Sequence, residues 1–357
     1  MKTITAMSPP VSTKSEALPR FMLELLGLAR APREGEEIVA HGQKLVLRDG
    51  ILRGAHAASA EQAHTSGVFG FKWQQRESFE SPASLARMRQ WLIERYGNPR
   101  ESSWLDGGAR PLVVDAGCGA GMSALELFDG VFDRMHYIGT DISAAVDVAR
   151  DRFGERGISA GFIQADLHAL PFARGSLDVI FSEGVLHHTD STERALAHLA
   201  TLLKPGGRLL FYVYRKKGPI REFADDYVRA KLRALPPEAA WQALRPLTEL
   251  GIALGKLGAT IELKEPIDIL EIPAGPIDVQ RLFYWHVLKA FYRADLTFDE
   301  MHHINFDWYA PENAHRQSPE EVRRWCADAG LAIERERIEE SGITIVAQKK
   351  GDGIARR

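Results

Sequence analysis

The chain has 357 residues, of which 45% are hydrophobic and 26% charged, enough to bury a substantial core in one elaborated domain or two modest ones. A formal charge of −3 offers no global attraction to nucleic acid and favours a small-molecule partner. Cys118 and Cys326 stand far apart, which excludes a disulfide framework and a four-ligand zinc site of the usual spacing and fits a reducing, cytoplasmic setting.

Residues 1–20 are rich in Ser, Thr and Pro and lack the apolar stretch of a secretory signal, so they read as a loose tail. No run approaches the ~18 apolar residues of a membrane span, and no membrane association is expected. Residues 18–29 have helical spacing, and 41–53 read as two strands joined at Asp49-Gly50, a hairpin signal. Residues 55–66 turn to Ala, Ser, His and Gln. An aromatic cluster, 67–73 (GVFGFKW), then precedes a helix over 82–96.

From Pro111 apolar runs alternate with amphipathic stretches. Strands are predicted near 111–115, 136–140, 160–165, 177–182 and 208–214 with helices between them, the pattern of a parallel sheet with crossover helices. Lys204-Pro205-Gly206-Gly207 ends the fourth of these helices. After Arg215 the alternation stops for about a hundred residues, well beyond an ordinary loop. Helical patterns near 219–234, 237–257 and 277–293 read as an inserted helical cap. Ser318-Pro319-Glu320-Glu321 has capping-box spacing and should start a helix reaching about Ala329, followed by an antiparallel pair of strands near 331–339 and 342–349. The expected domains are a tail, helix and hairpin at 1–60, a core at 61–215, a helical cap at 216–317 and closing elements at 318–350.

Residues 113–121 (VVDAGCGAG) place an apolar strand, a carboxylate and three alternating glycines before a helix, letting the backbone turn tightly and approach a ligand. Asp141 lies twenty positions beyond Gly121, at the end of the next strand, where a carboxylate can accept both hydroxyls of a ribose. A nicotinamide or flavin fingerprint would put its third glycine where Met122 stands. Asp115 also suits a cationic amino-acid tail better than a pyrophosphate.

Residues 113–121, 137–143 (YIGTDIS), 163–172 (IQADLHALPF), 178–188 (DVIFSEGVLHH) and 202–214 (LLKPGGRLLFYVY) together resemble the successive motifs of class I S-adenosylmethionine-dependent methyltransferases. The resemblance covers about 111–215 and, less specifically, 318–349. It implies an α/β, Rossmann-like, mostly parallel sheet of seven strands with helices on both faces, to which the periodicity adds a large helical insert after the fifth strand and a small N-terminal appendage. It also implies S-adenosyl-L-methionine as cofactor. Asp115, Gly117, Gly119 and Gly121 would lie against its methionine and ribose parts, Asp141 would hold the ribose hydroxyls and Ile142 would contact adenine. Asp166 and Leu167 would meet the adenine amino group and ring, and Ser182, Glu183 and Gly184 would line the cofactor.

Methyl transfer needs alignment, exclusion of water and, where the acceptor carries a proton, a base. His187 and His188 are the titratable candidates nearest the fourth strand's end. Tyr214, Arg215 and Tyr284 are candidate acceptor contacts, with Arg215-Lys216-Lys217 able to receive a carboxylate or phosphate or to form a solvated turn. Asn305, Asp307 and Tyr309 are further candidates, expected in a loop before the final helix. Phe69 to Trp73 reads either as a lid or as the buried face of a helix. His187-His188 and His302-His303 lack a carboxylate–His constellation, so no metal is expected.

The leading expectation is a methyltransferase acting on a small molecule under the cap. A methyltransferase acting on RNA or protein, and a non-catalytic S-adenosylmethionine-binding interaction protein, stay open. The helices around 219–257 could pair with a second copy, which leaves a homodimer open.

Overall fold

A computed structural model describes residues 18–54, 59–75, 79, 81–105 and 109–351. The tail at 1–17 and part of the 55–66 stretch lie outside the described residues. The chain opens with α1 (Arg20–Leu25) and an antiparallel meander of β1 (Glu37–Ala40), β2 (Gln43–Arg48) and β3 (Ile51–Gly54). The expected hairpin at Asp49-Gly50 joins β2 to β3, both turn residues having positive φ, and β1 adds a strand that the sequence reading did not predict.

Two helices follow, α2 (Ala60–Gln74) and α3 (Pro82–Tyr96). The alternating unit then runs β4 (Leu112–Ala116), α4 (Met122–Leu127), β5 (His136–Asp141), α5 (Ala145–Glu155), β6 (Gly161–Gln164), β7 (Leu177–Glu183), α6 (Thr192–Leu202) and β8 (Leu203–Tyr214). Between β6 and β7 the crossover holds only a short 3-10 turn, Leu167–Ala169, rather than a helix. β8 begins at Leu203, ahead of the expected start, and takes Lys204-Pro205-Gly206-Gly207 into the strand beside a register shift against β7.

Strands β6, β5, β4, β7 and β8 pair in parallel in that order. Two closing strands, β11 (Leu331–Ile338) and β12 (Gly342–Lys349), continue the sheet antiparallel beyond β8. These seven strands carry the expected alternation, but the sheet has ten. β3 pairs in parallel with β6, so the N-terminal meander extends the main sheet instead of standing apart as an appendage. The cause is local: β6 would otherwise be an exposed edge, and covering an edge removes a row of unpaired backbone groups.

Alternate strand residues feed two apolar clusters. Val113, Tyr137, Val179 and Leu210 face α3, α4 and α5, while Val114, Ile138, Ile180 and Leu209 face α1, α6 and the final helix, α11 (Pro319–Asp328). The period of two thus buries both sheet faces, as parallel strands require. Ser318 and Glu321 close the expected capping box of α11.

Residues 216–317 contain α7 (Pro219–Leu232), α8 (Pro237–Leu257), a two-stranded hairpin of β9 (Thr260–Leu263) and β10 (Gly275–Asp278), then α9 (Val279–His286) and α10 (Phe298–Tyr309). This departs from a purely helical insert. The expected helix over 277–293 starts at Val279 and ends at His286. The expected loop holding Asn305, Asp307 and Tyr309 is the last turn of α10, whose start is fixed by a capping box of Thr297 and Glu300. Its aromatic density reflects burial against α7 and α8.

Candidate functional site

The turn after β4 sits at the carboxyl edge of the parallel strands. Backbone N–H groups of Gly117 and Cys118 both donate to the Thr140 carbonyl at 2.8 Å, which ties this turn to the end of β5. Gly117 has φ +87°, and a Cβ there would lie 2.3 Å from a Val185 methyl. Gly119 has φ +51°, and its Cβ would meet the Trp73 indole nitrogen at 2.8 Å. Gly117→Ala should therefore cost about 1–3 kcal/mol, a lowered denaturation midpoint in urea being the measurement.

Asp141 closes the turn. Its Oδ2 accepts the Gly119 N–H at 2.9 Å, and its Oδ1 accepts the Ser143 N–H and hydroxyl, each at 2.7 Å. Asp115 is buried and accepts the Tyr137 hydroxyl at 2.8 Å. Burial raises the Asp115 carboxyl to about 7 against that hydrogen bond, with help from the negative charges of Asp141 and Glu183. Burial likewise raises Glu183, opposed by the Arg95 guanidinium 3.4 Å away and by a hydrogen bond from Tyr96.

These groups open into one cavity of about 560 Å³. Asp115, Gly117, Gly119, Asp141, Ile142, Glu183 and Gly184 line one part of it, together with Cys118 and Trp73. Gly121 instead caps α4 and stands outside the lining. Asp166 caps the 3-10 turn with its carboxylate, Leu167 is buried in the core, and the Ser182 hydroxyl donates to the Ala116 carbonyl at 2.8 Å, all three outside the lining.

The rest of the cavity wall comes from α2, α10 and the chain around 284–296. Asp307 is its electrostatic centre: one oxygen accepts from Lys72, the other from the Tyr214 hydroxyl at 2.9 Å. Burial would raise Asp307, yet Lys72 and the other positive groups around it hold it well below the usual carboxylate range. His188 lines the cavity, and its Nδ1 lies 2.6 Å from the Asn313 carbonyl, which can only accept, so Nδ1 carries the proton and Nε2 keeps its lone pair. Burial lowers His188 to about 4 despite Asp307, leaving a neutral ring near pH 7.

His187 is fully buried, its ring 3.7 Å from that of Tyr214, and does not line the cavity. Tyr214 and Tyr284 do. Arg215 does not; it bridges to Gln317 beside β8. Asn305 accepts the Phe291 N–H and donates to Thr248, and the Tyr309 hydroxyl donates to Asp225, so both side chains are turned to interior partners.

The 67–73 cluster forms the end of α2. Phe69, Lys72 and Trp73 line the cavity while Phe71 packs on Trp241 and Phe306, so one helix serves as wall and as core. Lys72, Lys289, His303 and Tyr212 are lining residues that were not among the candidate cofactor or acceptor contacts. For Lys72 a signal existed, since it lies inside the aromatic cluster. Lys289 carries none. Among the described residues no group of three or more His, Cys, Asp or Glu is placed to hold a metal ion, and no helix is long and apolar enough to cross a membrane.

Comparison with known proteins gives a match of residues 114–211 to the family model of a methyltransferase domain. The chain is 34% identical over 127 residues to the ubiquinone/menaquinone biosynthesis C-methyltransferase UbiE of Vibrio campbellii, covering 34% of this chain and 49% of that protein. It is also 34% identical over 124 residues to a tRNA (carboxymethyluridine(34)-5-O)-methyltransferase of Mus musculus, covering 34% of this chain and 17% of that protein. The chain thus spans about half or less of the length of these curated relatives. The solved magnesium protoporphyrin IX methyltransferase of Synechocystis superposes with a TM-score of 0.43 at 15% identity, covering 83% of this chain and all of that one.

Proposed function

We infer that this chain, whose residues 114–211 match a methyltransferase domain, transfers a methyl group from S-adenosylmethionine to a small molecule held in the cavity described above. The observation that carries this reading is the continuity of that cavity. It joins the glycine turn, Asp115 and Asp141 at the strand ends to His188, Tyr214 and Asp307 in a single space of about 560 Å³, within the ordinary range of small-molecule sites. In this reading 61–215 and 318–350 are the core and 216–317 is the cap over the acceptor.

The residues present fit the cofactor. Gly117 and Gly119 present bare backbone to the cavity where a Cβ would crowd Val185 and Trp73, Asp141 on the same wall would hold the ribose hydroxyls, Ile142 offers an apolar contact for adenine, and the buried Asp115 suits a cationic amino-acid tail. When bound, the cofactor supplies an electrophilic methyl on a sulfonium. The protein's part is positioning and dryness, with the neutral His188, its Nε2 free to accept, able to take a proton from an acceptor that carries one. Asp307, locked by Lys72 and Tyr214, is a fixed negative group that can orient a donor on the acceptor.

Asp115 gives this reading a pH dependence. Its carboxyl is raised above the unfolded value, so in the ligand-free protein the stability favouring the protonated form is fully present below about pH 4 and is lost as pH rises through about 7. A cation bound beside it favours the ionised form. Cofactor affinity should therefore rise by up to about tenfold per pH unit between pH 5 and 7 and level off above. Calorimetric titration with S-adenosylhomocysteine, which keeps the ammonium, would measure this, and Asp115→Asn should flatten the profile.

An RNA acceptor is the second reading, favoured by the tRNA methyltransferase among the relatives. Labelled methyl from S-adenosylmethionine incubated with host-cell extract separates the two. Label in a low-molecular-weight filtrate supports the small acceptor, label in the macromolecular retentate supports RNA or protein, and no transfer at all counts against the enzyme reading.

A further inference from the structure

Among the described residues, the cationic side chains around the acceptor part of the cavity are paired, with one exception. Lys72 donates to Asp307, Arg87 to Asp295 at 2.5 Å, and Arg293 to the same Asp295 at 3.1 Å. Lys289 lines the cavity at 7% exposure, and among the described residues its ammonium has neither an ion pair nor a hydrogen bond. Its one side-chain contact of this kind is with the Trp308 ring, whose centroid lies 4.6 Å from Nζ. The nearby carboxylates are already engaged. Asp307 is held by Lys72 and Tyr214, and Asp225 by Arg221, Trp308 and Tyr309. Tyr284, also 7% exposed and lining the same cavity, has a hydroxyl without a hydrogen-bond partner among the described residues.

A buried ammonium facing only an aromatic ring and a cavity is costly, because a cation–π contact recovers a fraction of the hydration it replaces. Burial pushes Lys289 down to about 7, with Asp307 and Asp225 opposing and Arg221 and Lys72 assisting the drop. An anion delivered through the cavity would hold the ammonium charged and supply the missing acceptor. The Tyr284 phenol on the wall of the same cavity offers a second donor.

We infer that Lys289 anchors an anionic oxygen group, a carboxylate or a phosphate, on the molecule that occupies the cavity, with the Tyr284 hydroxyl as the second donor. This rests on the methyl-transfer reading of the cavity and narrows it: the acceptor is a small organic acid whose charged end points to Lys289 and Tyr284. The apolar and aromatic walls, including Phe291, Leu296 and Ile304, suit a hydrophobic body on that acid.

The test uses the full chain, saturated with S-adenosylhomocysteine, and three probes of similar shape: benzoate, phenyl phosphate and neutral benzamide. Calorimetry should show at least one of the two acids binding ten or more times tighter than benzamide, and which acid does so distinguishes carboxylate from phosphate. Lys289→Gln should abolish that preference while leaving affinity for S-adenosylhomocysteine unchanged, a readout that also reports folding. Equal affinity for all three probes, including none for any, overturns the assignment, as does a preference for an acid that survives in K289Q. Failure of S-adenosylhomocysteine to bind the wild-type chain would instead defeat the methyl-transfer reading, and the probe comparison, repeated without it, still decides the anion site.

Discussion

Asp225→Ala should lower the unfolding free energy by about 3–5 kcal/mol, read as a shift of the urea midpoint. Asp225 and Arg221 are both 1% exposed and pair at 2.7 Å across one turn of α7. The same carboxylate accepts the Trp308 indole N–H and the Tyr309 hydroxyl, each at 2.7 Å, so it fastens α10 to α7. Removing it strands a buried guanidinium, left with a hydrogen bond to the Tyr284 carbonyl and the faces of the Tyr284 and Trp308 rings, and leaves two further donors unsatisfied. Arg221→Met combined with Asp225→Leu should recover part of the loss, because no charge is then left unpaired, yet the orphaned donors of Trp308 and Tyr309 still cost about 1–3 kcal/mol each. A single variant as stable as wild type would mean that water reaches this cluster. Since the Trp308 ring also contacts the Lys289 ammonium, and Asp307 precedes it on α10, loosening this joint should disturb the α10 side of the cavity before it affects the glycine turn.

Asp141→Ala should weaken S-adenosylhomocysteine binding by roughly tenfold to 150-fold, the equivalent of losing one charge-assisted hydrogen bond of about 1.5–3 kcal/mol. Two effects contribute. In the proposed reading the carboxylate accepts ribose hydroxyls, and it also holds the Gly119 and Ser143 N–H groups that shape the turn. Asp141→Asn separates them: one side-chain oxygen remains to accept from the backbone, but the charge is gone. If calorimetry gives wild-type affinity for both variants, the ribose does not sit at Asp141.

The alternation of strands and helices from β4 to β8 was legible because parallel strands buried on both faces must be continuous apolar runs, and crossover helices must be amphipathic. The glycine turn was legible for a stricter reason: positive φ and a close approach by Val185 or Trp73 leave few alternatives to glycine. Asp115 and Asp141 followed from their place at strand ends. Other features were misread where local pattern underdetermines the partner. Asn305, Asp307 and Tyr309 looked like loop residues because polar and aromatic groups are dense there; in fact they lie in the last turn of α10, where Asn305 and Tyr309 turn to interior partners and Asp307 lines the cavity. The N-terminal hairpin looked separate because nothing in its own residues shows that it pairs with β6.

The sequence by itself determined the sheet core, the turn that faces the strand ends and the carboxylates beside it, since each is fixed by contacts within or between adjacent elements. Only the tertiary structure decided the cavity wall opposite that turn. Lys72 and Asp307 meet across 235 positions of chain, His188 gains its tautomer from Asn313, 125 positions away, and Lys289 is distinguished by having no ion pair among the described residues. Burial and pairing at such separations are properties of the packed chain, and no local periodicity encodes them.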